Sequence, residues 1–188
     1  MSTKYLASIE KQFQYYRTLG DRTFAQVSDE DLFCQYNPES NSIAIIVKHI
    51  WGNALSRWTD FLNSDGEKEW RQREAEFDAD ISSRQEMLAK WNEAWECLVK
   101  AIELLTEEHL SQIVYIRNQG HTVTEALNRQ LAHYAYHVGQ IVYLGRMRRG
   151  KDWQSLSIPR GGTAEFNRKK FSQPKQEGHF TDEFLKEE

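Results

Sequence analysis

Three histidines are the side chains whose type and spacing predict chemistry in this sequence. His133 and His137 stand four residues apart in the segment HYAYH. On a helix this spacing puts both imidazoles on one face, about one turn apart, where both can bind one metal ion. The segment is not the HExxH motif of zinc proteases, because Tyr134 replaces its catalytic glutamate. A pair alone is a weak signal, so the prediction of a metal site depends on a third ligand.

His49 is the candidate third ligand. It lies in the segment SIAIIVKHIWGN, which is apolar on most sides and predicts a buried helix. At a rise of about 1.5 Å per residue, His49 lies about 10 Å from the start of its helix. His133 and His137 lie about 16 and 22 Å from the start of theirs, so the levels match if the two helices are antiparallel. Three neutral histidines leave a fourth coordination position open to water or substrate, as in catalytic zinc sites.

The alternative is a metal-free bundle in which these histidines are hydrogen-bonded core residues. Gln130 and Gln140 share a helical row with the histidine pair, so they are candidates to hydrogen-bond a substrate or the ligating imidazoles. They are equally suited to bridging helices. Arg160, beside Gly161 and Gly162, is a candidate anion contact on a segment (157–167) that folds over the site. The alternative is that this segment packs on the bundle or on a partner subunit.

Four segments with helical periodicity must position these residues, and they predict an all-α four-helix bundle over residues 1–150. The first two segments span roughly 3–27 and 42–63. The third carries an apolar stripe from Leu88 to Leu105, and the fourth runs from a capping box at Thr122 and Glu125 to about Arg149.

The connections predict how these helices are ordered. The charge-dense segment 64–81 is interpreted as a solvated crossover, of the length that an up-down-down-up order needs. The segment IVYIRNQGHTV predicts a small hairpin around Asn118 and Gly120, between the third and fourth helices. Residues 28–41 form a polar loop in this interpretation. Residues 151–188 form an irregular C-terminal extension that packs on the bundle or is partly mobile.

Composition excludes several classes of protein. A length of 188 residues suits one domain, and the net charge of −4 disfavours a general nucleic-acid binder. The uncharged run from Gln130 to Gly145 is too short to span a bilayer, and the N-terminal segment lacks the apolar region of a signal peptide. Cys34 and Cys97 belong to no CxxC pair. We therefore expect a cytoplasmic protein with neither a nucleic-acid nor a membrane partner.

The segments KHIWGN and HYAYHVGQI resemble the DinB-like (YfiT-like) superfamily of four-helix bundles, over about residues 1–150. The tail SLSIPRGGTAEFN looks like that of a branch of unknown function. The resemblance implies an up-down-down-up bundle, often a homodimer, with zinc or nickel held by His49, His133 and His137. It also implies kinship to transferases and isomerases that use a low-molecular-weight thiol.

These observations favour a metal-dependent enzyme that acts on a small molecule, as a thiol transferase or a hydrolase. A bound divalent metal ion lowers the pKa of coordinated water or of a thiol, and so supplies a nucleophile at neutral pH. The alternative is a non-catalytic metal-binding or stress-associated protein that forms dimers.

Overall fold

The computed structural model describes residues 4–185, which form a mostly helical protein with one two-stranded sheet. Four long helices correspond to the four predicted segments, and two shorter helices were not predicted. The α-helices of the described residues are α1 (Lys4–Phe24), α2 (Asp29–Phe33), α3 (Ile43–Trp58), α4 (Arg84–Glu103), α5 (Val123–Arg149) and α6 (Thr163–Phe171). The strands are β1 (Ile113–Ile116) and β2 (Gln119–Thr122).

The two helices that carry the histidines begin at side-chain caps. The hydroxyl of Ser42 accepts a hydrogen bond from the backbone N–H of Ile45 and so starts α3. The capping box predicted at Thr122 and Glu125 is confirmed, since each side chain accepts the other residue's backbone N–H at the start of α5. Both caps fix where the histidine helices begin, and therefore the height of each imidazole.

Contacts between the long helices show how they run past one another. α3 packs mainly on α4, α1 packs mainly on α5, and α3 also lies against α5. On α3 the chain proceeds from His49 to Asn53, and these residues meet His133 and Gln130 respectively. Because the partner numbers fall as the α3 numbers rise, α3 and α5 are antiparallel. The core between the helices is rich in large side chains, such as Trp91, Trp95, Phe13 and Tyr134.

The predicted hairpin is present. β1 and β2 pair antiparallel, with Ile116 opposite Gln119. The turn lies at Arg117 and Asn118, whose φ angles of 54° and 60° put both in the left-handed region that two-residue hairpin turns require. Both turn N–H groups donate to the carboxylate of Asp65, at 2.8 Å each, which ties the crossover to the hairpin.

The second predicted helix ends earlier in the structure than in the prediction. α3 ends at Trp58 rather than near residue 63, because Thr59 is extended and Asp60 has a φ angle of 49°. Phe61 is still buried, at 6% exposure, but it reaches the core from a turn. The polar loop 28–41 also contains the short helix α2, which begins at a capping box formed by Ser28 and Asp31.

The interpretation of residues 64–81 as a solvated crossover was wrong at its centre. Residues Glu74–Phe77 form a 3₁₀ turn that packs on α3, and Glu76 is only 5% exposed. Its charge is tolerated there because Arg71 donates to both carboxylate oxygens, at 2.7 and 3.0 Å. The crossover therefore contributes to the interior of the protein and to the site described below.

The C-terminal extension is more regular than predicted, since it contains α6. Beyond this helix the chain packs on α1, where Asp182 lies 2.6 Å from the ammonium group of Lys11 and Thr181 is fully buried. Phe180 and Phe184 contact the ring of Tyr15. Across residues 4–185, no helix combines the length and the apolar character needed to cross a membrane.

Candidate metal centre

The side chains of His49, His133 and His137 converge at the contact between α3 and α5. The Nε2 atom of His133 lies 3.3 Å from Nε2 of His49 and 3.1 Å from Nε2 of His137. One ligand nitrogen from each of the three residues lies within 4.8 Å of the other two. Among the described residues this is the one group of three or more His, Cys, Asp or Glu side chains with such spacing. The arrangement can hold a metal ion.

Each imidazole also contacts a protein group through its second nitrogen. Nδ1 of His49 lies 2.8 Å from a carboxylate oxygen of Glu76, and Nδ1 of His137 lies 2.9 Å from the amide oxygen of Gln140. Nδ1 of His133 lies 3.4 Å from the amide group of Gln130. Partners of this kind fix the ring orientation and the tautomer of metal-binding histidines.

The partners of His49 and His137 determine which nitrogen of these two rings carries the proton. Glu76 and the Gln140 oxygen are acceptors, so His49 and His137 donate through Nδ1–H and their Nε2 atoms carry lone pairs. At least two Nε2 lone pairs therefore face the same point, with His133 Nε2 beside them. Lone pairs in such a position repel one another unless a proton or a cation lies between them.

Gln130 and Asn53 form a buried amide pair beneath His133. The Gln130 amide nitrogen donates to the Asn53 oxygen at 2.8 Å, and both residues are at most 5% exposed. A joint rotation of both amides by 180° preserves this bond and presents the Gln130 oxygen to His133 Nδ1. In that orientation His133 also donates through Nδ1–H, and its Nε2 is free to ligate.

A glycine makes room for the Glu76 carboxylate. Gly52 lies on α3 one turn after His49, and a Cβ atom at this position would come within 2.5 Å of Glu76 Oε1. Burial raises the pKa of the Glu76 carboxyl, but hydrogen bonds from His49 and Arg71 outweigh it and leave this pKa below its usual value. Glu76 is therefore an ionised carboxylate, held in place from two sides.

The histidines themselves are poor bases in this environment. Burial, followed by the charges of His137 and His49, lowers the pKa of His133 from 6.5 to about 3. Burial also lowers the pKa of His137, which its bond to Gln140 partly opposes. Both imidazoles are thus neutral at physiological pH, which is the form that binds metal ions.

A cleft of about 390 Å³ opens above the three histidines. Its size falls in the range typical of small-molecule sites. Phe77 stacks on the ring of His49, with 4.9 Å between centroids, and the ring of Tyr136 contacts that of His137 at 5.0 Å. Arginines supply most of the remaining wall: Arg57, Arg71, Arg73, Arg117 and Arg129.

The structure brings together the three predicted histidines and also the two predicted glutamines, Gln130 and Gln140, which contact His133 and His137. Arg160 is elsewhere: it is exposed and is not among the residues that line the cleft. Residues 157–167 do not cover the histidines, because none of them lines the cleft.

The sequence did not indicate that Glu76, Asn53 or the arginines that line the cleft belong to the site. One signal was available for the first of these, because metal-binding histidines commonly donate to a carboxylate. The segment that follows the His49 helix is dense in such groups. Choosing Glu76 among them required the contacts with Gly52 and Arg71, which only the folded chain shows.

Comparison with known proteins gives one finding and two negative results. Residues 1–162 match the family model described as "Protein of unknown function (DUF1572)", and this match spans α1 to α5. Neither the comparison with curated proteins nor the comparison with solved structures found a match.

Proposed function

We propose that the chain, which belongs to the DUF1572 family, binds one divalent metal ion through His49, His133 and His137. It uses this ion to transform a small molecule. The reaction class that we favour is thiol transfer or hydrolysis.

The observation that carries the proposal is the convergence of three Nε2 atoms. The Nδ1 atom of each ring contacts another side chain of the protein. A tetrahedral zinc ion with Zn–N distances of about 2.0–2.1 Å requires nitrogens about 3.3 Å apart. The distances from His133 Nε2 to His49 Nε2 (3.3 Å) and to His137 Nε2 (3.1 Å) fit this requirement, and the third pair of ligand nitrogens lies within 4.8 Å. Imidazole ligands suit zinc and nickel, and both are candidates.

The chain's own residues supply binding and orientation. Glu76 orients His49, Gln140 orients His137, and the Gln130–Asn53 pair orients His133. When bound, the metal ion supplies Lewis acidity, which lowers the pKa of water or of a low-molecular-weight thiol. The cleft above the histidines gives a small molecule access to the remaining coordination position.

The cleft also distinguishes this proposal from a non-catalytic metal-binding protein. Structural zinc sites are closed by four protein ligands, whereas three histidines leave one position open. In the part of the chain from residue 4 to 185, no fourth His, Cys, Asp or Glu joins the cluster. The open position and the cleft together favour a site that acts on a substrate.

The resemblance to DinB-like bundles belongs to the same proposal. Its up-down-down-up order is supported by helix contacts. α3 and α5 are antiparallel, whereas Trp51 and Ala54 on α3 meet Glu93 and Cys97 on α4, so α3 and α4 are parallel. A homodimer and a cytoplasmic location complete the proposal. Light scattering of the purified protein tests the dimer.

Thiol conjugation to an electrophile tests the proposed activity. We expect the zinc- or nickel-loaded wild type to accelerate the conjugation of a small thiol, and His133→Ala to abolish the acceleration. Hydrolysis of activated esters is measured in parallel with the same two proteins. Equal rates for wild type and His133→Ala in both assays, with metal bound to the wild type, would favour the non-catalytic alternative.

A further inference from the structure

The cleft above the histidines is strongly basic, although the chain as a whole carries a net charge of −4. Five arginines line it, and carboxylates neutralise them unevenly. Arg71 pairs with Glu76 and Glu67, and Arg117 lies 3.3 Å from the same Glu67. Arg57 and Arg129 form no ion pair with a carboxylate of the described chain.

Arg57 is the least satisfied of these side chains. It is 7% exposed, and its Nη1 atom is buried without a hydrogen-bond partner among the described residues. Burial, followed by the charges of Arg129 and Arg71, lowers its pKa from 12.5 to about 10. A buried guanidinium without a partner is costly, which is why buried charges are normally paired. Arg57 also lines the cleft, so an anion bound there would lie beside this unpaired guanidinium.

The surrounding chain holds Arg57 where it is. A Cβ atom at Gly66 would lie 2.6 Å from its Nη1, so the crossover backbone packs directly against the guanidinium. The crossover is fixed in turn, because the N–H of Gly66 donates to Tyr115 at 2.8 Å and Ser56 donates to the Gly66 carbonyl at 2.9 Å. Arg57 is thus a preorganised cation rather than a mobile surface side chain.

We propose that the substrate of the metal site is an anion, whose oxyanion group binds Arg57 and Arg129 while another donor atom of the molecule reaches the histidines. This inference rests on the proposed function and names its substrate class: a small molecule that carries a carboxylate or a phosphate. Guanidinium groups bind both oxyanions through paired N–H donors. The cleft's volume of about 390 Å³ accommodates such a molecule.

Calorimetric titration of the metal-free full chain with inorganic phosphate, and separately with acetate, tests the inference. We expect saturable binding of at least one of these probes, and the tighter of the two identifies the oxyanion. Arg57→Met weakens that binding by about tenfold or more, because it removes charge-assisted hydrogen bonds. Arg129→Gln also weakens it, and since Arg129 is exposed this variant is available even if Arg57→Met does not fold.

Arg160→Gln is the matched control, because this exposed arginine lies outside the cleft and its loss leaves the affinity unchanged. His133→Ala separates the inference from the metal site: it abolishes metal binding but retains phosphate or acetate binding. Absence of saturable binding in the wild type, or equal affinities for wild type, Arg57→Met and Arg129→Gln, would overturn the inference whatever the metal measurements show.

Discussion

The Nδ1 atom of His49 lies 2.8 Å from the Oε2 atom of Glu76, and both side chains are less than 8% exposed. Glu76 lies 27 residues beyond His49, on the crossover between α3 and α4. The carboxylate orients the imidazole so that its Nε2 atom faces His133, and it makes the ring a stronger ligand. This relationship joins the crossover to the candidate metal centre and gives the first prediction.

Glu76→Gln is expected to weaken metal binding by about 10–100-fold, because a neutral amide supports the imidazole less than a carboxylate does. Competition with a chromophoric chelator measures the affinity. Glu74→Gln is the matched control, since this neighbouring carboxylate is 93% exposed and pairs with Arg73 at 3.2 Å. Equal affinities for the two variants would contradict the role of Glu76.

Gly52→Ala is expected to weaken metal binding about tenfold without unfolding α3, because the new methyl group displaces the Glu76 carboxylate from His49. Gly139→Ala on α5 meets no neighbouring atom within 4 Å. It should therefore raise the free energy of unfolding by about 0.5–1 kcal/mol and leave the metal affinity unchanged. Chelator competition and chemical denaturation check both variants. If both glycine variants bound metal like the wild type, Gly52 would not be needed for Glu76 to reach His49.

The stability of the metal-free protein is expected to depend on the neutral state of His133. Its folded pKa of about 3 lies below the unfolded value of 6.5, so the unfolded chain binds more protons between these two pH values. The contribution of His133 to stability is complete above pH 6.5 and is lost as the pH falls toward 3. Denaturation from pH 7 to 4 should show a flatter pH dependence for His133→Gln than for the wild type. Parallel curves would contradict the lowered pKa.

Gln130→Ala is expected to destabilise the protein by about 1–3 kcal/mol, because it leaves the buried amide of Asn53 without its partner. Gln140→Ala removes the corresponding contact of His137, but no buried amide depends on it. We therefore expect Gln140→Ala to lower metal affinity with a smaller loss of stability. Denaturant titration of the two metal-free variants separates the effects, and equal losses of stability would argue against the buried pair.

The sequence was sufficient to find the three candidate ligands but not the residues that support them. His133 and His137 follow from helical spacing, and His49 follows from its height on an antiparallel helix, because rise per residue is fixed by backbone geometry. The Thr122–Glu125 capping box and the hairpin could also be predicted from the sequence, because local hydrogen bonding determines both.

The positions of the other residues around the site depend on tertiary contacts, which the sequence does not indicate. Glu76 lies in a charge-dense segment that resembles a solvated loop, and it is buried only because Arg71 and His49 satisfy its carboxylate. Arg57 belongs to the apolar helix α3, and nothing in its neighbours along the chain indicates that its guanidinium reaches the cleft. Arg160 was predicted near the site from the direction of the last bundle helix, but it is exposed and does not line the cleft.

Metal content is the most direct test of the central claim. The full chain is purified without an affinity tag, reconstituted with zinc or nickel, dialysed and measured by elemental analysis. We predict about one equivalent for the wild type, a large loss for His133→Ala, and no change for His109→Ala, whose imidazole bonds to Thr106 outside the cluster. Less than about a tenth of an equivalent in the reconstituted wild type would contradict the claim that His49, His133 and His137 bind a metal ion.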